Sequence, residues 1–293
     1  MPRPPQDLGA LARRLLTTGP VKTLPAAPKR VRVALGGRTV ADTTEAVYVW
    51  EHAYYPIYYL PLSSFAAGAL SFPHANPTSV PAPSKDSKEG ERGYALARLS
   101  AGDASTDRVI VFLEGGKTEK EGQGQGQGEE EGKGGAVLAG LARVEFDAAD
   151  AWFEEDARID VHPKDPFKRV DVVFSARPVR VLVEGVEVAR SPASFHLYET
   201  GLPLRLYLPL TAVRADVLRK SDTVTACPYK GEANYYDIVL PRADGDGGGG
   251  EKRLKDVVWY YTNPKMECAG IAGYVCFYNE RVDIELDGKM LGS

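Results

Sequence analysis

The chain has 293 residues, 43% hydrophobic and 26% charged, the mix of an ordinary globular protein rather than a disordered one. Lys plus Arg number 36 against 40 for Asp plus Glu, and this mildly acidic balance argues against a chain whose main work is coating nucleic acid or an anionic membrane. No run approaches about 18 apolar residues, so no bilayer span is expected, and three cysteines without a CxxC pair predict neither a disulfide scaffold nor a structural metal.

Near the N-terminus, Leu8, Leu11 and Leu15 fall at helical spacing behind Asp7, a residue suited to cap a helix. A short helix docking on the core is the expectation. Arg13 and Arg14 interrupt the stretch, so it does not read as a secretory signal. Cytosol is the default location; Arg3, Arg13 and Arg14 also resemble a mitochondrial presequence, against which Asp7 and the prolines count.

The chain then repeats itself. Residues 31–51 read VRVALGGRTVADTTEAVYVWE and residues 179–199 read VRVLVEGVEVARSPASFHLYE, with seven identities in 21 positions at a shift of 148. The same shift sets Tyr59-Leu-Pro-Leu62 on Tyr207-Leu-Pro-Leu210, and Val109-Ile-Val-Phe112 on Val257-Val-Trp-Tyr260. A second shift, of 133, sets Leu138-Ala-Gly140 on Ile271-Ala-Gly273. Between the two shifts lie residues 114–135, with nine Gly, six Glu, three Gln and three Lys in 22 positions, too polar to bury a core and read as an inserted solvated loop. The expected plan is an N-terminal extension over 1–28, a first unit over 29–157, a linker at 158–169 and a second unit over 170–290. Two copies are too few for a solenoid, so a pseudo-symmetric pair is expected.

Within each unit, apolar residues alternate with polar ones. Val179, Val181 and Val183 flank Arg180 and Leu182; Val282, Ile284 and Leu286 flank Asp283 and Glu285. A period of two with one wet face is the habit of antiparallel sheets. Gly36-Gly37 and Glu184-Gly185 sit between such runs as hairpin turns. Short helices are expected at 211–219 and 267–274. The fold class is therefore mainly β: two pseudo-symmetric antiparallel β-rich units with few short helices.

Four stretches carry a resemblance: His162-Pro-Lys-Asp-Pro-Phe-Lys-Arg-Val-Asp171, Glu199-Thr-Gly-Leu-Pro203, Ser221-Asp-Thr-Val-Thr-Ala-Cys-Pro-Tyr-Lys-Gly231 and Ala272-Gly-Tyr-Val-Cys-Phe-Tyr-Asn-Glu-Arg-Val-Asp283. The chain resembles domain-of-unknown-function family 427, in a tandem arrangement over roughly residues 29–290. The resemblance implies a compact β-rich unit of the tent- or barrel-like kind and no established activity. The family also carries a nucleotidyltransferase-like label, but the chain lacks the Gly-Ser pair and spaced aspartates that would hold Mg²⁺ and a nucleotide. Copy one departs from copy two at the loop. In place of Cys227-Pro-Tyr-Lys-Gly231 it has Ser71-Phe-Pro-His-Ala-Asn-Pro77 and a Pro/Ser/Lys-rich stretch reaching Gly93.

Candidate chemistry therefore falls in copy two. Lys230, three residues from Cys227, would either lower the thiol pKa and expose a nucleophile or pin an anionic ligand, and a stiff turn whose Lys ties a carboxylate is the structural alternative. No His lies nearby in sequence, although folding could bring His196 or His162 close. Tyr207, Tyr235, Tyr236, Trp259, Tyr260, Tyr261 and Tyr278 form an aromatic group suited either to a site or to a core. Arg180, Arg205, Glu199, Asp237 and Asp283 are strand charges read first as a solvated face, with Arg205 able to hold a carboxylate or phosphate. The leading expectation is binding of a small polar or anionic molecule through Lys230, Arg205, Tyr207, Tyr235, Trp259 and Tyr278, with no cofactor and no metal. An enzyme using Cys227, Lys230 or a tyrosine, and a non-catalytic protein-interaction module, are the alternatives.

Overall fold

Alternation along the strands decides the architecture, because each strand then has one apolar face to bury. The computed structural model describes residues 6–73, 78–80, 92–113, 136–241 and 250–291. It divides into two units, Met1–Pro163 and Lys164–Ser293, both mostly β. The insertion at 114–135, the greater part of 73–93, and 242–249 lie outside the described residues.

The first unit has a large antiparallel sheet whose strands run in the order Lys22–Pro25, Val47–Trp50, Ile57–Pro61, Leu141–Val144, Ala104–Leu113, Arg92–Ala101, Leu70–Ser71. A smaller sheet is ordered Ala157–Ile159, Ala151–Glu154, Val31–Leu35, Arg38–Thr43. The second unit repeats this plan. Its large sheet is Val170–Ser175, Ser194–Glu199, Arg205–Pro209, Tyr274–Phe277, Glu251–Tyr261, Gly231–Pro241, Leu218–Cys227, and its small sheet is Lys289–Met290, Asp283–Leu286, Val179–Val183, Val186–Ser191. Strand for strand, the order is the same. Even the bulge recurs, between Val33 and Ala34 in one unit and between Val181 and Leu182 in the other.

Each unit buries a core between its two sheets. In the second, Val179, Val181 and Ile284 of the small sheet meet Leu206, Leu208, Val258 and Phe277 of the large one. In the first, Val31, Val33 and Trp152 meet Leu60, Val109, Val111 and Val144. The small-sheet hairpins turn where the dipeptides predict. Gly36 and Gly37 have φ of +57° and +69°, and Glu184 and Gly185 +52° and +78°. Paired positive φ values match the right-handed twist of the flanking strands, which is why glycine stands at three of these four positions.

Several sequence expectations need correction. The helix expected at 211–219 is one 3-10 turn, Leu210–Ala212, after which Leu218 already pairs with Ile238. The helix expected at 267–274 is the 3-10 segment Met266–Ile271, which gives way to a strand at Tyr274. In both places strand pairing overrides weak local helix preference. The Pro/Ser/Lys-rich stretch read as loop contains a strand, Thr78–Val80, paired with the start of Arg92–Ala101. Lys22–Pro25, placed in the N-terminal extension, pairs with Val47–Trp50 in the large sheet. The repeat register also moves by one residue. Ala142 pairs with Val111 while its counterpart Val275 pairs with Tyr260. Ile110 therefore corresponds to Trp259, and Phe112 to Tyr261. The slip matters because one residue exchanges the two faces of a strand.

The predicted N-terminal helix forms over Leu8–Thr18, and Asp7 caps it by accepting the Ala10 N–H at 3.0 Å. Its apolar stripe, Leu8, Leu11, Ala12, Leu15 and Leu16, lies on the outer face of the first large sheet, against Tyr59, Tyr94, Ile110, Phe112 and Leu138. Beneath it, Arg143 donates from Nε to Glu51 Oε1 at 2.8 Å, and the Tyr59 hydroxyl donates to the same oxygen at 3.1 Å. The second unit has no such helix among its described residues.

Candidate functional site

On the second unit, the face that the helix covers in the first is a cleft of about 190 Å³. Its floor comes from four strands of the large sheet: Leu197 and Glu199, then Arg205, and, beyond the strand Tyr274–Phe277, Trp259 and Tyr261 beside Tyr235. Leu202 and Pro203 of the turn after Glu199, Lys230 of a hairpin, and Tyr278 complete the wall. These residues meet because alternate positions of each strand point to one side of the sheet.

Two ion pairs stand in the cleft. Lys230 donates from Nζ to Glu199 Oε2, and the two side chains are only 12% and 6% exposed. Arg205 makes a forked pair with Glu280, from Nη1 at 3.0 Å and Nη2 at 2.8 Å. Its guanidinium lies 5.5 Å from the Trp259 ring centre and 5.8 Å from that of Tyr278, a stacked arrangement that holds the fork in place. Trp259 is itself fixed, since its indole N–H donates to the Tyr207 hydroxyl at 3.0 Å. Tyr235 shares a hydrogen bond of 2.8 Å with Thr225. Burial pushes the Tyr278 phenol up to about 12, the Tyr235 hydroxyl beside it adding to the effect.

Of the residues singled out from sequence, Lys230, Arg205, Tyr235, Trp259 and Tyr278 line this one cleft. Tyr207 does not; it is fully buried behind Trp259 and acts by positioning that ring. Tyr236 and Tyr260 stack on each other toward the inter-sheet core. The strand charges divide. Arg180 is spanned by Glu187 and Glu285 on the small sheet, and Asp283 is exposed. Asp237 is fully buried, against the expectation of a solvated charge. It accepts from Arg253 Nε at 2.5 Å and from the Asp256 N–H at 2.7 Å, and these bonds satisfy the carboxylate.

The hairpin carrying Cys227 and Lys230 joins the strands Leu218–Cys227 and Gly231–Pro241, with Cys227 paired to Gly231. Tyr229 in this turn accepts the Asp165 N–H at 2.7 Å. Of the two candidate histidines, only His196 belongs to the same unit as Cys227. His196 is on the strand face opposite Leu197 and Glu199, with Nδ1 3.4 Å from the Tyr198 hydroxyl, and His162 stacks on Tyr55 in the first unit. Cys227 is half-buried, while Cys268 and Cys276 are buried. Desolvation raises both buried thiols, Cys268 to about 11. A brief treatment of native protein with iodoacetamide at pH 8 is therefore expected to label Cys227 alone, as read by peptide mass spectrometry. Equal labelling of Cys268 would contradict this burial. Among the described residues, no group of three or more His, Cys, Asp or Glu side chains is gathered as a metal ion would require.

Sequence reasoning missed Leu197, Leu202, Pro203 and Glu280. Glu280 gives no local signal, since it lies 75 residues from Arg205 and meets it only through the pairing of Arg205–Pro209 with Tyr274–Phe277.

No helix among the described residues is long and apolar enough to cross a membrane. No curated protein matches the chain. A family model described as "Domain of unknown function (DUF427)" matches residues 23–90 in the first unit and 171–288 in the second, and the chain therefore belongs to the DUF427 family in a two-copy arrangement.

Proposed function

We propose that this protein binds a small polar molecule in the cleft of its second unit, and that its first unit is a structural partner without an open site. One observation carries the reading. The same sheet face is filled by the protein's own helix in copy one and left as a cleft walled by aromatic rings and two ion pairs in copy two. Concave, largely apolar surfaces with a few convergent polar groups are the usual form of ligand sites. At about 190 Å³ the cleft is below the 300–1,000 Å³ of drug-sized sites, so the ligand is compact.

Lys230 serves this site less directly than its sequence context suggests. Its ammonium is already neutralised by Glu199, so it shapes the cleft wall and holds the buried carboxylate. The alternative of nucleophilic catalysis at Cys227 draws no support from the second unit, whose one histidine, His196, lies on the strand face opposite Leu197 and Glu199.

A thermal-shift screen of small metabolite-like compounds, with native mass spectrometry on the hits, tests the proposal. The expected result is one molecule bound per chain. Leu202→Trp, a change at a half-exposed wall residue, should fill the cleft and remove the ligand-induced shift while leaving the unliganded melting temperature within about 2 °C. Hits whose shifts survive Leu202→Trp would count against the cleft.

A further inference from the structure

Resting on that reading, we infer that the ligand carries a carboxylate on a small apolar body, and that Arg205 receives it by exchanging Glu280 for the ligand.

The two cations of the cleft differ in how replaceable their partners are. Lys230 and Glu199 are both nearly buried, so an incoming anion that displaced Glu199 would strand a carboxylate without its cation. Arg205 is 18% exposed, but Glu280 is 46% exposed and stands at the rim. An ion pair with one well-solvated partner is weak and yields at little cost, since Glu280 can return to water. The guanidinium would not follow it, because stacking on Trp259 and Tyr278 holds the fork where it is. A planar fork with two parallel N–H groups matches a carboxylate, and Glu280 already occupies it in that manner.

The same stacking excludes a cationic ligand. Aromatic walls beside a carboxylate would otherwise suit an ammonium, but here the rings of Trp259 and Tyr278 already carry the Arg205 guanidinium, and Glu199 already carries Lys230. A cation would have to displace the stacked guanidinium or the nearly buried ammonium, whereas an anion displaces only the exposed Glu280.

The first unit supplies an independent argument. By strand register, Ile57 stands where Arg205 does, and it is buried among the residues under the N-terminal helix. Glu51 stands where Glu199 does and remains a carboxylate. The buried glutamate persists in both copies, as a structural element would. The arginine is present only where the face is open.

Benzoate, benzamide and benzamidinium, equal in size and shape but anionic, neutral and cationic, are suitable probes, titrated by ligand-observed NMR against the full chain. Benzoate should bind wild type at least tenfold more tightly than either isostere. Glu280→Gln, which removes the competing carboxylate at an exposed position, should tighten benzoate severalfold and leave benzamide unchanged. Arg205→Gln should weaken benzoate tenfold or more, and Leu202→Trp should abolish its binding. Equal affinity for all three probes, with no response to Glu280→Gln, would overturn the carboxylate inference and leave the cleft as a binding site. So would absence of benzoate binding to wild type at about 10 mM alongside a screened ligand, lost on Leu202→Trp, that has no acidic group. Benzoate binding that persists unchanged in Leu202→Trp would overturn the cleft reading itself.

Discussion

Lys230→Met is expected to destabilise the second unit by about 3 kcal/mol, the cost of leaving a buried carboxylate without its cation. Glu199 is 6% exposed and its partner is Lys230. Methionine keeps the length and the apolar stem but removes the charge, so the loss is electrostatic rather than a matter of volume. Urea denaturation followed by tyrosine and tryptophan fluorescence should show a lower midpoint with an unchanged slope. Adding Glu199→Gln should restore most of the loss, because the double variant has no stranded charge. A silent Lys230→Met would mean that the ammonium does not hold Glu199 in solution and is free to meet a ligand.

Leu15→Ala in the N-terminal helix should cost the first unit about 2–5 kcal/mol, the range for truncating a fully buried leucine. Leu15 has no exposed surface and packs in the cluster that includes Tyr59, Ile110 and Phe112. The energetic point is that the helix is a structural cover rather than a loosely docked tail. Short helices are marginal alone and owe their stability to the apolar face they bury. Hydrogen exchange should show the amides of Leu8–Thr18 opening more readily in the variant, while ligand binding to the second unit continues. Unchanged protection in Leu8–Thr18 would contradict the view that this contact holds the helix down.

Much of the fold was legible in the sequence because strands announce themselves locally. Val179, Val181 and Val183 alternate with wetter positions, and Gly36, Gly37 and Gly185 are the residues that positive φ favours in the two turns. The repeat was legible for the same reason, since each copy must bury the same kind of face. What local pattern could not convey was which side of the sheet a residue faces after a one-residue change of register. Trp259 was aligned with Val111 and stands instead where Ile110 does. That slip hid the correspondence between the cleft of one copy and the helix-covered face of the other.

For the site, residue type was informative and partnership was not. Arg205, Lys230, Tyr235, Trp259 and Tyr278 could be gathered from a chain rich in tyrosine and from the loop that copy one lacks. Which carboxylate each cation would meet depends on long-range strand pairing. Lys230 finds Glu199 across 31 residues and Arg205 finds Glu280 across 75. In the proposed reading, those two pairings move the role of anion anchor from Lys230 to Arg205.

The most direct measurement is a crystal structure of the full chain with the tightest hit from the screen. The account predicts one ligand per chain, against Leu197, Arg205 and Trp259 in the second unit, with the helix Leu8–Thr18 still seated on the first. A ligand found under that helix beside Glu51 and Arg143, with the second cleft empty, would contradict it.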